Sequence, residues 1–213
     1  MPYSDFDLKT VKQKLGVHVL EQEGLFASVP CAAVRPAFQE ILHENIPLAR
    51  AINTEKARSE LIIANVLVEV RKILKHSISL FSGIEFNVDK EKGLNGFCDF
   101  IISASTEQLL LNSPIITVVE AKNENIIGGL GQCIAEMFAA KLFNQAENNQ
   151  HAGKVYGAVT TGTAWRFLKM ETGQAWHFLQ KGEGKVLIDL DEYLIENPGK
   201  IIGILLDMAT RNA

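Results

Sequence analysis

The sequence predicts a mixed α/β fold in which α-helices flank a central β-sheet. Three features of the chain carry this prediction: an amphipathic helix, a group of three β-rich segments after it, and a glycine-rich turn that opens a second long helix. The order helix, three strands, helix, two strands differs from the alternation of a doubly wound parallel sheet. The 213 residues are 47% hydrophobic and 22% charged, which is a globular composition. Because no repeat or linker divides residues 1–213, we expect a single domain.

The first amphipathic helix is predicted to begin at Asn53 or Thr54, either of which can cap its N-terminus, and to end near Leu74. Its apolar residues recur with the i, i+3, i+4, i+7 spacing of one buried face, at Ile63, Val66, Leu67, Val70, Ile73 and Leu74. Residues 1–53 before it form an N-terminal extension to which the sequence assigns no role. Short helical patterns lie there over Asp7–Leu15 and Pro36–His43, and prolines interrupt the segment at positions 30, 36 and 47.

Three strands and a second helix follow, so that residues 54–170 are predicted to form an α-βββ-α-β core. The bounds predicted for the three strands are Ser79–Val88, Gly96–Ser103 and Pro114–Lys122. The glycine-rich turn at 128–131 opens the second helix, which reaches about Phe143. Later elements are predicted as strands at 155–161, 163–170 and 174–179 and a helix at 201–211. Residues 171–213 are thus predicted to form a C-terminal hairpin strand and helix.

Charge and motif spacing exclude several function classes. Lys plus Arg number 21 and Asp plus Glu number 25, for a net charge of −4, so the chain lacks the strongly basic character of a nucleic-acid coat protein. The histidines form no HxxxH or HExxH pattern and the cysteines form no CxxC pair, which removes the usual zinc sites. We expect all three thiols to be buried, at Cys31, Cys98 and Cys133. Short apolar runs and the absence of a signal-like start favour a cytoplasmic protein without a membrane span.

Ionisable residues interrupt two of the predicted strands. Glu120 and Lys122 share one face of the third strand, so a carboxylate and an ammonium lie side by side at its end. Asp99 interrupts the apolar second strand, where an isolated carboxylate is costly unless it is paired or binds a cation. If these strands are neighbours, Asp99, Glu120 and the backbone carbonyl of Ala121 form the oxygen-rich environment that Mg²⁺ prefers. Lys122 then lies within reach of a water molecule bound there.

A third acid, Glu60, is predicted to point toward the core from the first helix. It precedes Ile63 by one turn and Leu67 by two, so the helical period places it on their buried face. For each acid taken alone, ordinary structural roles remain open. Glu60 can complement the helix dipole, and Glu120 with Lys122 can form an ion pair at a strand end.

Taken together, these residues resemble the PD-(D/E)XK nuclease superfamily, whose members have the restriction endonuclease-like fold. In that family an acid on the first core helix, an aspartate on the second core strand and an acid-x-lysine on the third surround one or two divalent metals. Glu60, Asp99 and the run Glu120-Ala121-Lys122 match these positions in the present sequence. Many members also carry a glutamine early in the following helix, and Gln132 matches it.

The resemblance extends from Thr54 to Met170, about half of the chain. The residue before Asp99 is Cys98, where many members of the family have proline. The segment 157–167 also resembles the strand pair that follows the core helix in restriction-type nuclease domains. The resemblance therefore implies a restriction endonuclease-like mixed central sheet flanked by helices.

The same resemblance implies a metal-dependent DNA endonuclease that hydrolyses phosphodiester bonds. The implied catalytic residues are Glu60, Asp99, Glu120, Lys122 and Gln132. The implied ligands of Mg²⁺, or of Mn²⁺ in its place, are Asp99, Glu120 and the Ala121 carbonyl, with Glu60 at a second metal. Lys122 is expected to orient or help deprotonate the attacking water, and nearby metal is expected to favour its neutral amine. Because the basic residues form no evident groove, we expect DNA recognition to involve a partner subunit or a homodimer.

Two other functions remain open at this point. The first is a catalytically idle nuclease-fold protein that binds nucleic acid or protein as a subunit of a restriction or mobile-element system. The second is a module that binds a small acidic ligand at the glycine turn before the second helix. Intact Asp99, Glu120 and Lys122 favour the enzyme, because an idle site has no physical need to keep a carboxylate inside an apolar strand.

Overall fold

A computed structural model describes residues 2–147, 154–171 and 184–210 of the chain. The described strands form a single mixed sheet of eight strands with helices on both faces, so the predicted α/β class is confirmed. The strands are β1 His18–Gln22, β2 Ser79–Glu85, β3 Phe97–Ser103, β4 Ile115–Ala121, β5 Lys154–Thr160, β6 Ala164–Glu171, β7 Lys185–Asp189 and β8 Tyr193–Leu194. Their order across the sheet is β1-β7-β6-β5-β4-β3-β2, and β8 pairs with β6 off this path.

The described helices cover this sheet in two layers. Their bounds are α1 Leu8–Leu15, α2 Pro36–Ile52, α3 Glu55–Arg58, α4 Ala64–Ile73, α5 Ile126–Ala146 and α6 Pro198–Thr210. On one face the long α5 packs against β4 and β5, and α1 packs on α5. On the other face α4 and α6 pack against each other and against the sheet. Each layer buries its own apolar cluster, so the sheet lies between two hydrophobic cores.

Most elements of the predicted core are confirmed within three residues of their predicted ends. The predicted strand at 174–179 lies outside the described residues. The structure adds three strands that the sequence did not predict, β1, β7 and β8. β1 is a short edge strand in which four of five residues are exposed, so it lacks the apolar alternation that marks a half-buried strand. β8 has only two residues, too few for any period.

The second N-terminal helix is longer than expected. α2 continues through Pro47 to Ile52, although a break was expected at that proline. Proline removes one N–H donor and leaves the carbonyl four residues earlier without its helix partner. Pro47 is exposed, so water can satisfy that carbonyl and the helix continues. Asn53 then ends α2 in the left-handed conformation, with φ of 51°.

The first core helix begins where predicted but contains an irregular turn. Thr54 caps it, because its Oγ1 accepts a hydrogen bond of 3.1 Å from the N–H of Ala57. Between α3 and α4, residues Ser59–Ile63 form a π-helical turn. A π-turn inserts an extra residue into the helix, so the side chains at its start are rotated relative to the buried stripe. That stripe consists of Ile62 and Ile63 at the end of the turn and Val66, Leu67 and Val70 of α4, all fully buried.

The N-terminal residues close the face of the sheet that α5 covers. The backbone of Asp7 lies so close to α5 that a Cβ at Gly131 would approach the Asp7 Cα to 2.4 Å. Only glycine permits this contact without displacement of one segment. Tyr3 and Phe6 are buried in the same apolar cluster as α5. Residues before the first core helix therefore contribute to the folded core.

Among the described helices, α5 is long and apolar enough to cross a membrane by length and composition. In the fold, however, 67% of its most apolar window is buried. It packs against two central strands and against α1. Buried core helices satisfy the same criteria of length and composition, and we interpret α5 as one of them.

The sheet brings the ends of several elements to one edge. β3 and β4 are antiparallel, with Phe100 opposite Val119. β4 and β5 are parallel, with Glu120 opposite Val159. The start of β3, the carboxyl ends of β4 and β5 and the N-terminus of α5 therefore meet at this edge. In open α/β sheets such edges are the usual place for ligands.

Candidate active site

The run Glu120-Ala121-Lys122 ends β4 and places its two charged side chains against α5. Glu120 is 1% exposed, and Lys122, its ion-pair partner, is 24% exposed. The backbone N–H of Lys122 donates a 2.8 Å hydrogen bond to the carbonyl oxygen of Thr160 at the end of β5. α5 approaches so closely that a Cβ at Gly129 would lie 3.1 Å from the Lys122 side chain. Sheet and helix together therefore fix the position of Lys122.

Asp99 lies at the same edge of the sheet. Its Oδ2 accepts a 2.8 Å hydrogen bond from the backbone N–H of Ala121. The N–H and C=O of one residue in an extended strand point to the same side, so the Ala121 carbonyl also points toward β3. The half-buried Asp99 carboxylate is close enough to raise the pKa of Glu120. The structure thus places the three predicted oxygen donors at one edge.

An open cleft of about 270 Å³ lies in front of Asp99. One wall is the start of the first core helix, and the other is the middle of β2. The cleft is lined by Glu55, Lys56, Ser59, Glu60, Ser82, Gly83, Asp99 and Ala121. Because carboxylates outnumber ammonium groups in this lining, the cleft attracts cations.

The predicted orientation of Glu60 is wrong. Its side chain is 62% exposed and forms an ion pair of 2.8 Å with Lys56, which is 82% exposed. The π-helical turn rotates Glu60 away from the face that buries Ile63 and Leu67. An unbroken α-helix would have kept all three on one face. Glu60 nevertheless lines the cleft in front of Asp99, as an exposed side chain at its rim.

Behind the cleft, four side chains form a closed ring of polar contacts. Lys122 Nζ is paired with Glu120 Oε1 and lies 3.4 Å from Gln132 Oε1. Gln132 Nε2 donates a 3.1 Å hydrogen bond to Glu136 Oε1. The Oε2 atoms of Glu120 and Glu136 are both buried without a hydrogen-bond partner among the described residues. The carboxyls of Glu120 and Glu136 are adjacent, and Glu120 makes Glu136 harder to ionise, so the two ends of the ring meet at this pair.

Burial dominates the electrostatics of this ring. It raises the pKa of Glu120 to about 8, and the charge of Asp99 adds to the rise while Lys122 opposes it. The pKa of Glu136 lies well above its ordinary value, first because the residue is fully buried and then because Glu120 is adjacent. Since two adjacent buried carboxylates are costly to ionise together, this pair keeps a proton to a higher pH than separate carboxyls do.

Lys122 carries its proton in this environment. Burial lowers the pKa of Lys122, but Glu120 and the further carboxylates of Glu55 and Asp99 raise it by more, so the net pKa lies above its ordinary value. The amine is therefore an ammonium at neutral pH in the structure. Without bound metal, this favours a role in orienting water and stabilising negative charge over a role as a base.

Sequence reasoning did not find Glu136. It lies four residues after Gln132 on the buried face of α5, among Ile134, Met137 and Phe138. An acid within an apolar helix face is a signal of the same kind as Asp99 in its strand, and it was available from the sequence. Of the three thiols expected to be buried, Cys98 and Cys133 are buried beside this ring, whereas Cys31 is exposed.

The raised pKa of Glu136 predicts a pH-dependent stability that Glu136→Gln reduces. The folded protein holds the Glu136 proton more tightly than the unfolded chain, so stability is highest below the unfolded pKa of about 4.3 and falls as the pH rises toward the raised folded pKa. Each such proton changes stability by up to about 1.4 kcal/mol per pH unit. We expect Glu136→Gln to gain at least ~1.4 kcal/mol over wild type between pH 4.5 and pH 8. Urea unfolding in EDTA measures this difference.

The matched control is Glu107→Gln, which changes an exposed glutamate at the opposite end of β3. This variant should follow the wild-type pH dependence. A Glu136→Gln variant whose stability falls with pH as steeply as that of wild type would show that Glu136 is ionised in the fold.

The donor set at the sheet edge fits a divalent cation with few protein ligands. Among the described residues, the buried Oε2 of Glu120 has no hydrogen-bond partner, the charge of Asp99 acts on Glu120, and Asp99 and Ala121 line the cleft. Within residues 2–147, 154–171 and 184–210, no group of three or more His, Cys, Asp or Glu side chains is arranged to hold a metal ion. Mg²⁺ in phosphate-handling sites commonly uses one or two carboxylates, and waters and substrate complete its octahedron.

Comparisons with known proteins do not assign this site. No protein-family model matches the chain, and no curated protein matches it either.

Proposed function

We propose that this protein is a metal-dependent DNA endonuclease of the PD-(D/E)XK type, with a restriction endonuclease-like fold. The observation that carries the proposal is the hydrogen bond from the Ala121 N–H to Asp99 Oδ2. This bond holds the aspartate of one strand against the Glu120-Ala121-Lys122 run of the next, at the edge of an open acidic cleft. The mixed sheet with helices on both faces is compatible with that fold.

In this proposal Mg²⁺, or Mn²⁺ in its place, would be held by Asp99, Glu120 and the Ala121 carbonyl. Glu60 would be a ligand of a second cation. The bound cation supplies Lewis-acid stabilisation of charge on the scissile phosphate. The Lys122 ammonium donates a hydrogen bond to the attacking water and orients it toward phosphorus. Gln132 and Glu120 keep Lys122 in place. As the new P–O bond forms, the bond to the leaving oxygen breaks; the attacking water releases a proton to solvent, and the leaving oxygen takes up a proton from solvent.

DNA is proposed as the substrate because the resemblance implies it and because an acidic cleft that holds a cation can bind a phosphate through it. The lysines and arginines of the chain are scattered, and the net charge is −4. Affinity for a long duplex normally requires several phosphate contacts. A homodimer or a partner subunit is therefore proposed to complete the DNA-binding surface.

The proposal is tested by incubating plasmid, linear duplex and single-stranded DNA with the wild-type protein and Mg²⁺ or Mn²⁺. We expect new DNA ends to accumulate on at least one substrate and EDTA to stop the reaction. DNA that stays intact with both metals and on all three substrates would contradict the proposal.

A second candidate is a catalytically idle nuclease-fold protein that binds nucleic acid or protein. The observation in its favour is that Lys122 already occupies Glu120 Oε1. The buried ring is then a structural polar network. Metal binding separates the two candidates, because an idle ring of this kind has no need of a cation.

A further inference from the structure

The side chain of Phe97 is exposed two residues before Asp99, which lines the candidate cleft. Phe97 is the first residue of β3, and 67% of its surface is open to solvent. In the described ranges, the other large hydrophobic side chains that are highly exposed are aliphatic. Single exposed apolar residues are common on proteins, so the position of this ring, rather than its exposure alone, carries the inference.

Phe97 lies on the cleft side of β3. It and Asp99 flank Cys98, which is fully buried against the α5 layer. Successive side chains of a strand point to opposite faces, so Phe97 lies on the face opposite Cys98, and Asp99 lines the cleft on that side of the sheet. Two residues along a strand span about 7 Å. Phe97 is therefore two residues along the strand from the carboxylate that the proposed function places at the scissile phosphate.

The opposite wall leaves room beside this ring. Gly83 of β2 lies between residues that pair with Phe100 and Cys98, and so it stands opposite Asp99. Its φ is +60°, and a Cβ added there would meet nothing within 4 Å. The cleft in front of Asp99 is thus open along β2 in the direction of Phe97, which pairs with Glu85. A flat group wider than a phosphate can enter from that side.

Charge determines which part of a nucleotide the ring contacts. The cleft is lined by the acids Glu55, Glu60 and Asp99 and by one base, Lys56. A further acid, Glu85, is the strand partner of Phe97. These carboxylates repel the phosphate backbone when no cation is bound. A nucleobase is uncharged, and stacking on an aromatic ring gives affinity that this repulsion does not cancel.

We propose that Phe97 is a stacking platform for an unpaired nucleobase adjacent to the phosphate bound at Asp99. The inference rests on the proposed function for the placement of that phosphate. It specifies the substrate class: single-stranded DNA, or a strand whose bases are splayed at the cut site, rather than a continuous duplex. A base in a duplex is stacked on its neighbours and cannot present its face to Phe97 without unstacking.

The test measures equilibrium binding of a fluorescein-labelled oligothymidylate and of a blunt duplex by fluorescence anisotropy, in EDTA and again in Ca²⁺. Phe97→Ala is expected to weaken single-strand binding about 5- to 100-fold, the range found when a stacking aromatic is removed, and to change duplex binding less than about 2-fold. Phe97→Trp should retain single-strand affinity, and its added indole fluorescence should be quenched when the oligonucleotide binds. Leu110→Ala is the matched control, because Leu110 is 61% exposed in the loop at the opposite end of β3.

Single-strand affinity that is unchanged in Phe97→Ala would overturn the inference. So would an equal loss of affinity for both DNA forms, or no binding of either oligonucleotide by wild type. These outcomes are separable from failure of the proposed function. Binding that depends on Phe97 without metal-dependent cleavage refutes the nuclease and keeps the stacking site, whereas cleavage that is insensitive to Phe97 keeps the nuclease and refutes the stacking site.

Discussion

Replacing Asp99 with asparagine is expected to reduce metal-dependent DNA cleavage about 1,000-fold, which corresponds to about 4 kcal/mol of transition-state stabilisation. The amide keeps an oxygen that can accept the hydrogen bond from the Ala121 N–H, so β3 and β4 stay joined. It removes the negative charge that the proposal uses to hold the cation, and a catalytic cation supplies several kcal/mol. Initial rates of DNA cleavage in Mg²⁺ and in Mn²⁺, compared with wild type, measure the effect.

The control for this substitution is Asp191→Asn, which changes an exposed aspartate between β7 and β8. Its rate should equal that of wild type within about 2-fold. Thermal unfolding of Asp99→Asn should remain close to that of wild type, which separates loss of chemistry from loss of the fold. Cleavage that persists at the wild-type rate in folded Asp99→Asn would place the chemistry elsewhere.

Lys122→Met is expected to reduce cleavage about 100- to 1,000-fold, the usual cost of removing one charged or hydrogen-bonding group that acts on the transition state. Methionine retains an apolar stem of similar length where the Lys122 side chain packs near Gly129. It removes the ammonium that pairs with Glu120. Because the change leaves Asp99 in place, we expect divalent cation binding to be preserved while the rate falls.

Lys56→Met is the matched control, because Lys56 lines the same cleft but is 82% exposed and pairs with Glu60. Exposed ion pairs contribute little, so its rate should change less than about 3-fold. Equal loss in both variants would mean that Lys122 acts only through the general charge of the cleft. Full activity in Lys122→Met would remove it from the mechanism.

The sequence predicts the part of the site that depends on local periodicity. A strand alternates its side chains, so the placement of Glu120 beside Lys122 follows from the sequence once β4 is recognised. An acid in an apolar strand is conspicuous, which is why Asp99 was found. Thr54 at the start of the first core helix likewise follows from capping chemistry.

Features that depend on a local irregularity or on distant packing were not predicted. The orientation of Glu60 depends on the π-helical turn that contains it, and an ideal helical period misplaces that side chain. β1 pairs with β7, which lies more than a hundred residues later in the chain. The five residues of β1 alone show too little apolar alternation to predict a strand. The raised pKa of Glu136 depends first on its burial and then on Glu120, which belongs to another element.

The central claim is that Asp99 and Glu120 share a divalent cation at the end of β4, and calorimetric titration of Mn²⁺ tests it without DNA. We expect wild type to bind Mn²⁺ with a measurable heat, Asp99→Asn to lose that heat, and Lys122→Met to retain it. Equal heats from wild type and folded Asp99→Asn would contradict the claim.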